Sequence, residues 1–311
     1  MSLIHTFTLG SFRCHALEAG TQRLDGGAMF GVVPKPLWAK RFVPDERNRI
    51  PLAMRCLLIE HPDGLVLIDS GLGNKEDAKF CDIYGVHNPG PGGRTQLEAA
   101  FAEAGHAPED VKWVINTHLH FDHAGGNTWV DGGDGEDSGD GKNRPSVLTI
   151  RLTFPNAIYL VQGGDLDFAR HPNERTRASY LPPNFEPVAE AGRWKLLHGD
   201  VDVLPGIAVR VTPGHVPYHQ SVLVRSEGDT LCYLADVMPT RHHLPLPWIM
   251  GYDLEPLRTL ESKRKLVREA LDEGWWLFFE HDPDVVMGRL GEGEKGPELA
   301  GQVMAPVTSD R

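Results

Sequence analysis

The chain has 311 residues, of which 41% are hydrophobic and 24% charged, an ordinary globular usage that supports a sizeable core and excludes disordered and collagen-like classes. Lys and Arg number 31 against 43 Asp and Glu, a formal charge of −12 that argues against nucleic acid or an anionic membrane as partner. No run reaches the ~18 consecutive apolar residues of a membrane span, and the opening MSLIHTFTLGSFRCH has neither the basic nor the apolar region of a signal peptide, so a cytoplasmic address is expected.

In chain order, apolar and β-branched runs predict strands at 54–60 and 65–68, a short helix at 95–104, and further strands at 111–116, 157–162, 207–212, 220–224, 230–235 and 275–280. Helical periodicity is clearest at 256–272, where Leu257, Leu260, Val267 and Leu271 share a face, Pro256 suits a first turn and Gly274 follows as a stop. Strands separated by helices and strands in hairpin-like succession together predict a mixed α/β fold, read as one domain over 1–311. Residues 131–146, DGGDGEDSGDGKNRPS, are expected to be a solvated surface insertion; their spacing suggests calcium but lacks the register and terminal Glu of an EF-hand loop. Residues 170–187 read as either a lid or a connection. Cys14, Cys56, Cys81 and Cys232 show no C-x-x-C spacing and are expected to be buried free thiols.

Histidine is over-represented, with fifteen residues. The predicted strand at 111–116 runs directly into Thr117-His118-Leu119-His120-Phe121-Asp122-His123-Ala124-Gly125-Gly126. Three imidazoles and a carboxylate lie within six residues, and in a turn His118 and His120 can face one way while Asp122 and His123 face another. Such a peptide can serve two adjacent cations of borderline softness. Three more predicted strands end in a single candidate ligand each: His215 after 207–212, Asp236 after 230–235 and His281 after 275–280. Ligands at the ends of separate strands can converge where a sheet edge opens to solvent.

With H-x-H-x-D-H followed by His215, Asp236 and His281, the sequence resembles the metallo-β-lactamase superfamily. The resemblance implies an αββα sandwich holding two divalent metal ions at one sheet edge: His118, His120 and His215 on the first, Asp122, His123 and His281 on the second, and Asp236 bridging. Imidazole and carboxylate suit zinc, and manganese, iron or cobalt also fit such donors. Asp69, in the run LIDSG, matches a family aspartate that orients a ligand from behind; a turn cap is the alternative. The runs LDGGAMFGVVPKPLW at 24–38 and ADVMPT at 235–240 resemble the quorum-quenching N-acyl-homoserine lactonase branch, in particular its YtnP-type members. TPGHVPYHQS at 212–221 also fits lactonases, with His219 as a structural partner. One departure stands out: Pro239 replaces a substrate-binding tyrosine, and Tyr218, Tyr252 or Tyr180 are candidates to substitute.

The function implied is opening of N-acyl-homoserine lactone rings by a hydroxide shared between two cations, with Asp122 passing a proton to the leaving alkoxide. Phosphotriester hydrolysis at the same pair of ions is the alternative. Met29, Phe30 and Trp38 are expected to form part of an apolar wall for the acyl chain, with core packing as the other reading, and Tyr218 to contact substrate. The segment 244–250 is read as an opposing wall or as a homodimer contact.

Overall fold

The structure, a computed structural model, describes residues 2–130, 149–294 and 296–306, so the expected insertion at 131–146 and its calcium reading lie outside the described residues. In chain order, β1 (Ile4–Leu9), β2 (Phe12–Asp25), β3 (Arg49–Glu60), β4 (Leu65–Ile68) and β5 (Val111–Ile115) are neighbours in the first sheet. β6 (Thr128–Val130) and β7 (Ile150–Leu152) pair apart from it, and β8 (Ile158–Gln162) and β9 (Trp194–Leu197) complete it beside β5. The second sheet takes β10 (Val201–Leu204), β11 (Ile207–Val211), β12 (Gln220–Ser226), β13 (Asp229–Tyr233), β14 (Trp276–Phe278), β15 (Val285–Gly293) and β16 (Gly296–Met304) in sequence order. The helices are α1 (Gly26–Phe30), α2 (Lys35–Trp38), α3 (Ala78–Tyr84), α4 (Gln96–Glu103), α5 (Phe121–Ala124), α6 (Gly163–Arg170), α7 (Glu186–Glu190) and α8 (Pro256–Glu273).

The side-chain period of two along each strand sorts the apolar residues into layers. Leu57 and Ile59 of β3 join Val222 and Val224 of β12, Tyr233 of β13 and Phe278 of β14 in a core between the sheets. The intervening Cys56 and Leu58 face outward, onto Leu97, Ala100 and Phe101 of α4. Leu223 and Cys232 face outward from the second sheet, onto Leu266, Val267 and Ala270 of α8. Both faces of each central strand are therefore covered, which is why these strands read as continuous apolar runs. The resulting αββα sandwich is the arrangement that the sequence resemblance implied.

Three expectations are corrected. The buried stripe of α8 is Thr259, Lys263, Leu266, Val267 and Ala270, while Leu257 is 77% exposed. Lys263 belongs to the buried face because its ammonium donates to the carbonyls of Pro245, Leu246 and Trp248, a role that a hydrophobic pattern does not register. Strand β13 stops at Tyr233, since the chain turns through Ala235, whose φ of 49° is left-handed. The four cysteines are free; Cys14, Cys56 and Cys232 are buried, but Cys81 on α3 is only half-buried. Among the described residues, no helix is long and apolar enough to cross a membrane.

Candidate metal centre

Parallel pairing of β4 with β5 brings their carboxyl ends to one edge of the first sheet, and parallel pairing of β13 with β14 does the same in the second. Asp69 follows β4, His118 follows β5, His215 follows β11, Asp236 follows β13 and His281 follows β14. The loop from His118 to α5 then doubles back, with His120 as the residue preceding the helix and Asp122 and His123 within it. Close approach anchors this loop: a Cβ on Gly126 would lie 2.0 Å from the Ser70 carbonyl oxygen, and Lys75 donates to the carbonyls of Gly125 and Thr128 at 2.6 and 2.7 Å.

The seven candidate ligands meet in two groups. His118, His120, His215 and Asp236 form one, and Asp122, His123 and His281 the other, each with potential donor atoms within 4.8 Å of one another. His215 Nε2 lies 3.1 Å from His120 Nδ1, and His281 Nε2 lies 3.3 Å from His123 Nε2. Asp236 stands between the groups: Oδ2 is 3.0 Å from His215 Nε2 and 3.4 Å from His123 Nε2, and Oδ1 is 3.3 Å from His281 Nε2. His118 Nε2 and Asp236 Oδ1 are buried with no hydrogen-bond partner. A buried polar atom without a partner is costly, so two orphans pointing into a cluster of imidazoles and carboxylates fit a divalent cation of the zinc class.

Protonation of the side chains favours the same occupant. Burial, reinforced by neighbouring imidazoles, pushes His118 and His120 well below the ordinary histidine value, leaving their lone pairs free. Burial also acts against charge on His281, but the adjacent Asp236 carboxylate overrides it and raises the imidazole to about 9. Burial alone would raise Asp236; His215, His123 and His281 instead hold it well below the usual carboxylate range. The ionised Asp236 carboxylate and the neutral His118 and His120 rings are the protonation states in which such side chains bind a divalent ion.

Outer nitrogens of the imidazoles are fixed from behind, as ligand histidines require. Asp69 Oδ2 lies 3.0 Å from His123 Nδ1 and accepts from the Thr117 hydroxyl at 2.7 Å, while Oδ1 accepts from the Thr117 N–H. Asp69 holds a left-handed φ of 54° to do so. Asp253 Oδ1 is 3.0 Å from His215 Nδ1, and the Ala53 carbonyl is 2.7 Å from His281 Nδ1. His219 sits beneath the cluster, its Nε2 accepting the Asp236 N–H at 3.2 Å and its Nδ1 facing Thr212 Oγ1 at 2.8 Å. The buried carboxylate of Glu280, 3.1 Å from His123 Nδ1, is raised to about 7 by its burial. Gln22 of β2 donates to Asp122 Oδ2 at 2.6 Å. Glu280, Asp253 and Gln22 escaped the sequence reading because none stands in a recognisable spacing, and Gln22 lies in a strand with several other polar residues.

A cavity of about 380 Å³ opens onto Asp122, His120, His215, Asp236 and His281. Met29 lines it, together with Leu24, Leu52 and Met250. Phe30 and Trp38 do not: they are buried in a cluster with Val33, Phe42 and Ile50, stacked on each other at 5.7 Å between ring centroids. Tyr218 is 46% exposed and outside the cavity lining. Tyr180 is buried with its hydroxyl donating to Asp165, whereas Tyr252 and Tyr84 do face the cavity. Of the segment 244–250, Met250 reaches the lining, and from 170–187 Arg175, Thr176 and Ser179 form part of the wall.

Residues 51–133 and 146–281 match the metallo-beta-lactamase superfamily. An N-acyl homoserine lactonase of Bacillus cereus is 28% identical over 245 residues, 76% of this chain and 83% of that protein. The N-acyl homoserine lactonase AttM of Azorhizobium caulinodans is 29% identical over 242 residues, 73% of this chain and 81% of that protein. The structure of a probable metal-dependent hydrolase from Staphylococcus aureus is similar with a TM-score of 0.84 and 28% identity, covering 97% of this chain and 100% of that one. AidC, a dizinc quorum-quenching lactonase in complex with a product, has the same fold with a TM-score of 0.76 at 20% identity, covering 98% and 99%. By the extent of the match and the order of its elements, the chain belongs to the metallo-beta-lactamase superfamily.

Proposed function

We propose that the protein is a metal-dependent lactonase acting on N-acyl-homoserine lactones. The observation that carries the reading is the junction of a seven-residue His/Asp cluster with a cavity whose wall is apolar at Leu24, Met29, Leu52 and Met250. Similarity to N-acyl homoserine lactonases supports it. His118, His120 and His215 would hold one divalent ion, Asp122, His123 and His281 a second, and Asp236 both. Zinc suits these donors, and manganese, iron and cobalt are the other fits. Such ions supply electrophilic polarisation of a carbonyl and acidity to water.

The remaining work falls to the chain. Water adds to the lactone carbonyl carbon, the ring C–O bond breaks, and the ring oxygen leaves as an alkoxide that needs a proton. Asp122 faces the cavity, with Oδ2 held by Gln22; in this reading its carboxylate takes the proton that the adding water gives up and passes it to the alkoxide. Burial and the Asp25 carboxylate push the Tyr252 phenol up, and burial and Asp122 do the same to Tyr84. Both phenols keep their protons at neutral pH and are donors for the substrate's carbonyl oxygens, in place of the tyrosine that Pro239 displaces. The apolar wall rewards an acyl chain with about 0.8 kcal/mol per buried methylene.

The test is a kinetic panel on metal-replete protein: homoserine lactones of several chain lengths, paraoxon and a thioester. Lactones should give the highest kcat/KM, and His118→Ala, Asp122→Ala and Asp236→Ala should each lower it by orders of magnitude. Faster turnover of paraoxon would replace the reading with phosphotriester hydrolysis, and near-full lactone turnover by the three variants would refute the site.

A further inference from the structure

We propose that His15, Glu60 and His106 form a separate cation site of the zinc type, remote from the cavity, that ties the amino-terminal hairpin to the turn after α4. The proposal is independent of the lactonase reading. It rests on a second cluster whose potential ligand atoms lie within 4.8 Å of one another. Ala53, whose carbonyl faces His281, and Glu60 are seven residues apart on β3, so the two sites stand about 23 Å apart at ~3.3 Å per residue.

The placement follows from register. On the face of the first sheet that α4 covers, Arg13 lies opposite Glu60 and His15 opposite Leu58, which puts His15 and Glu60 diagonally on one side. His106 arrives from α4: Gly105, with a φ of 84°, ends the helix, and the His106 N–H donates to the Phe101 carbonyl at 3.0 Å. The imidazole is therefore positioned by a helix cap and not by a free loop.

Three nitrogens converge on one oxygen. Glu60 Oε1 lies 3.0 Å from His15 Nε2, 3.2 Å from His106 Nε2 and 3.5 Å from an Arg13 guanidinium nitrogen. Tetrahedral coordination with bonds of 2.0–2.1 Å places neighbouring donor atoms ~3.3 Å apart, which is close to the two imidazole distances. His15 is buried and oriented from behind, with Thr6 Oγ1 2.9 Å from Nδ1, the support that a ligand imidazole takes. Glu60 and His106 retain 30% and 23% side-chain exposure, which admits a cation and a water to complete four ligands. The Arg13 side chain, 59% exposed, can withdraw into solvent as the cation enters.

The experiment counts metal in full-length protein dialysed against buffered zinc, in wild type, His106→Ala and Glu60→Gln. Wild type should hold one more ion per chain than either variant, whatever number the central cluster itself binds. Added zinc should also raise the Tm of the wild type more than that of the variants. Equal metal counts in the three proteins would overturn the site. So would a loss of Tm in the variants that is the same with and without zinc, the signature of a hydrogen-bonded ion pair alone.

Discussion

At the scale of single residues, the geometry around Asp122 is set by an amide. Gln22 Nε2 donates to Asp122 Oδ2 at 2.6 Å from inside β2, and both side chains are buried. An amide adds no charge, so it can fix a carboxylate without changing the charge of the centre. Replacing it separates orientation from electrostatics. Gln22→Leu removes the donor and should lower lactone kcat/KM by about tenfold, the equivalent of the ~1.5 kcal/mol net worth of one hydrogen bond. Gln22→Glu sets a second carboxylate against the first and should lower it further, because two adjacent carboxylates resist joint ionisation. Steady-state kinetics with metal analysis of both variants decides the point; equal losses would mean that Gln22 acts only through packing.

At the scale of elements, the chemistry sits in the turns, and the strands aim it. That a ligand follows each of β4, β5, β11, β13 and β14 was legible, because an apolar run precedes Asp69, His118, His215, Asp236 and His281 by a few residues at most, although the exact strand ends were not. Strand β2 was not legible, although it is fourteen residues long and mostly buried. Its buried His15, Glu18 and Gln22 break the apolar pattern, and each is bonded to a partner distant in sequence that only the fold brings near. The apolar segment 29–38 divided in a way that composition does not show: Met29 lines the cavity, while α1 and α2 turn Phe30 and Trp38 into a buried core cluster, the other reading of the same residues. Backbone proximity was equally hidden. A Cβ on Gly126 would sit 2.0 Å from the Ser70 carbonyl oxygen, so Gly126→Ala must displace the loop that carries His118 to His123 from the turn after β4. We expect a loss of about 3 kcal/mol in unfolding free energy, together with weaker metal retention. Urea unfolding and metal analysis measure the two; an unchanged midpoint would show that this contact relaxes freely.

At the scale of the molecule, the αββα sandwich was implied by the family motif, but what clamps its two sheets near the site was invisible in the sequence. Arg55, fully buried on β3, donates through Nε to Glu18 of β2 at 2.8 Å and through Nη1 to the carbonyls of Phe279 and Asp282 at 2.8 and 3.0 Å. Tyr233 of β13 returns a hydrogen bond to the Arg55 carbonyl at 2.8 Å. One guanidinium thus joins the first sheet to the segment that flanks His281, and its charge is matched by a carboxylate that is itself buried. Removing one member of such a pair costs far more than removing both, because the survivor stays charged in a medium that solvates it poorly. Arg55→Met should therefore destabilise the protein by about 3–5 kcal/mol, and Arg55→Met combined with Glu18→Met should recover part of that loss. The unfolding free energies of wild type, both single variants and the double variant form a closed cycle. If the double variant is no more stable than Arg55→Met, the carbonyl bonds across the sheets carry the effect, and the ion pair with Glu18 does not.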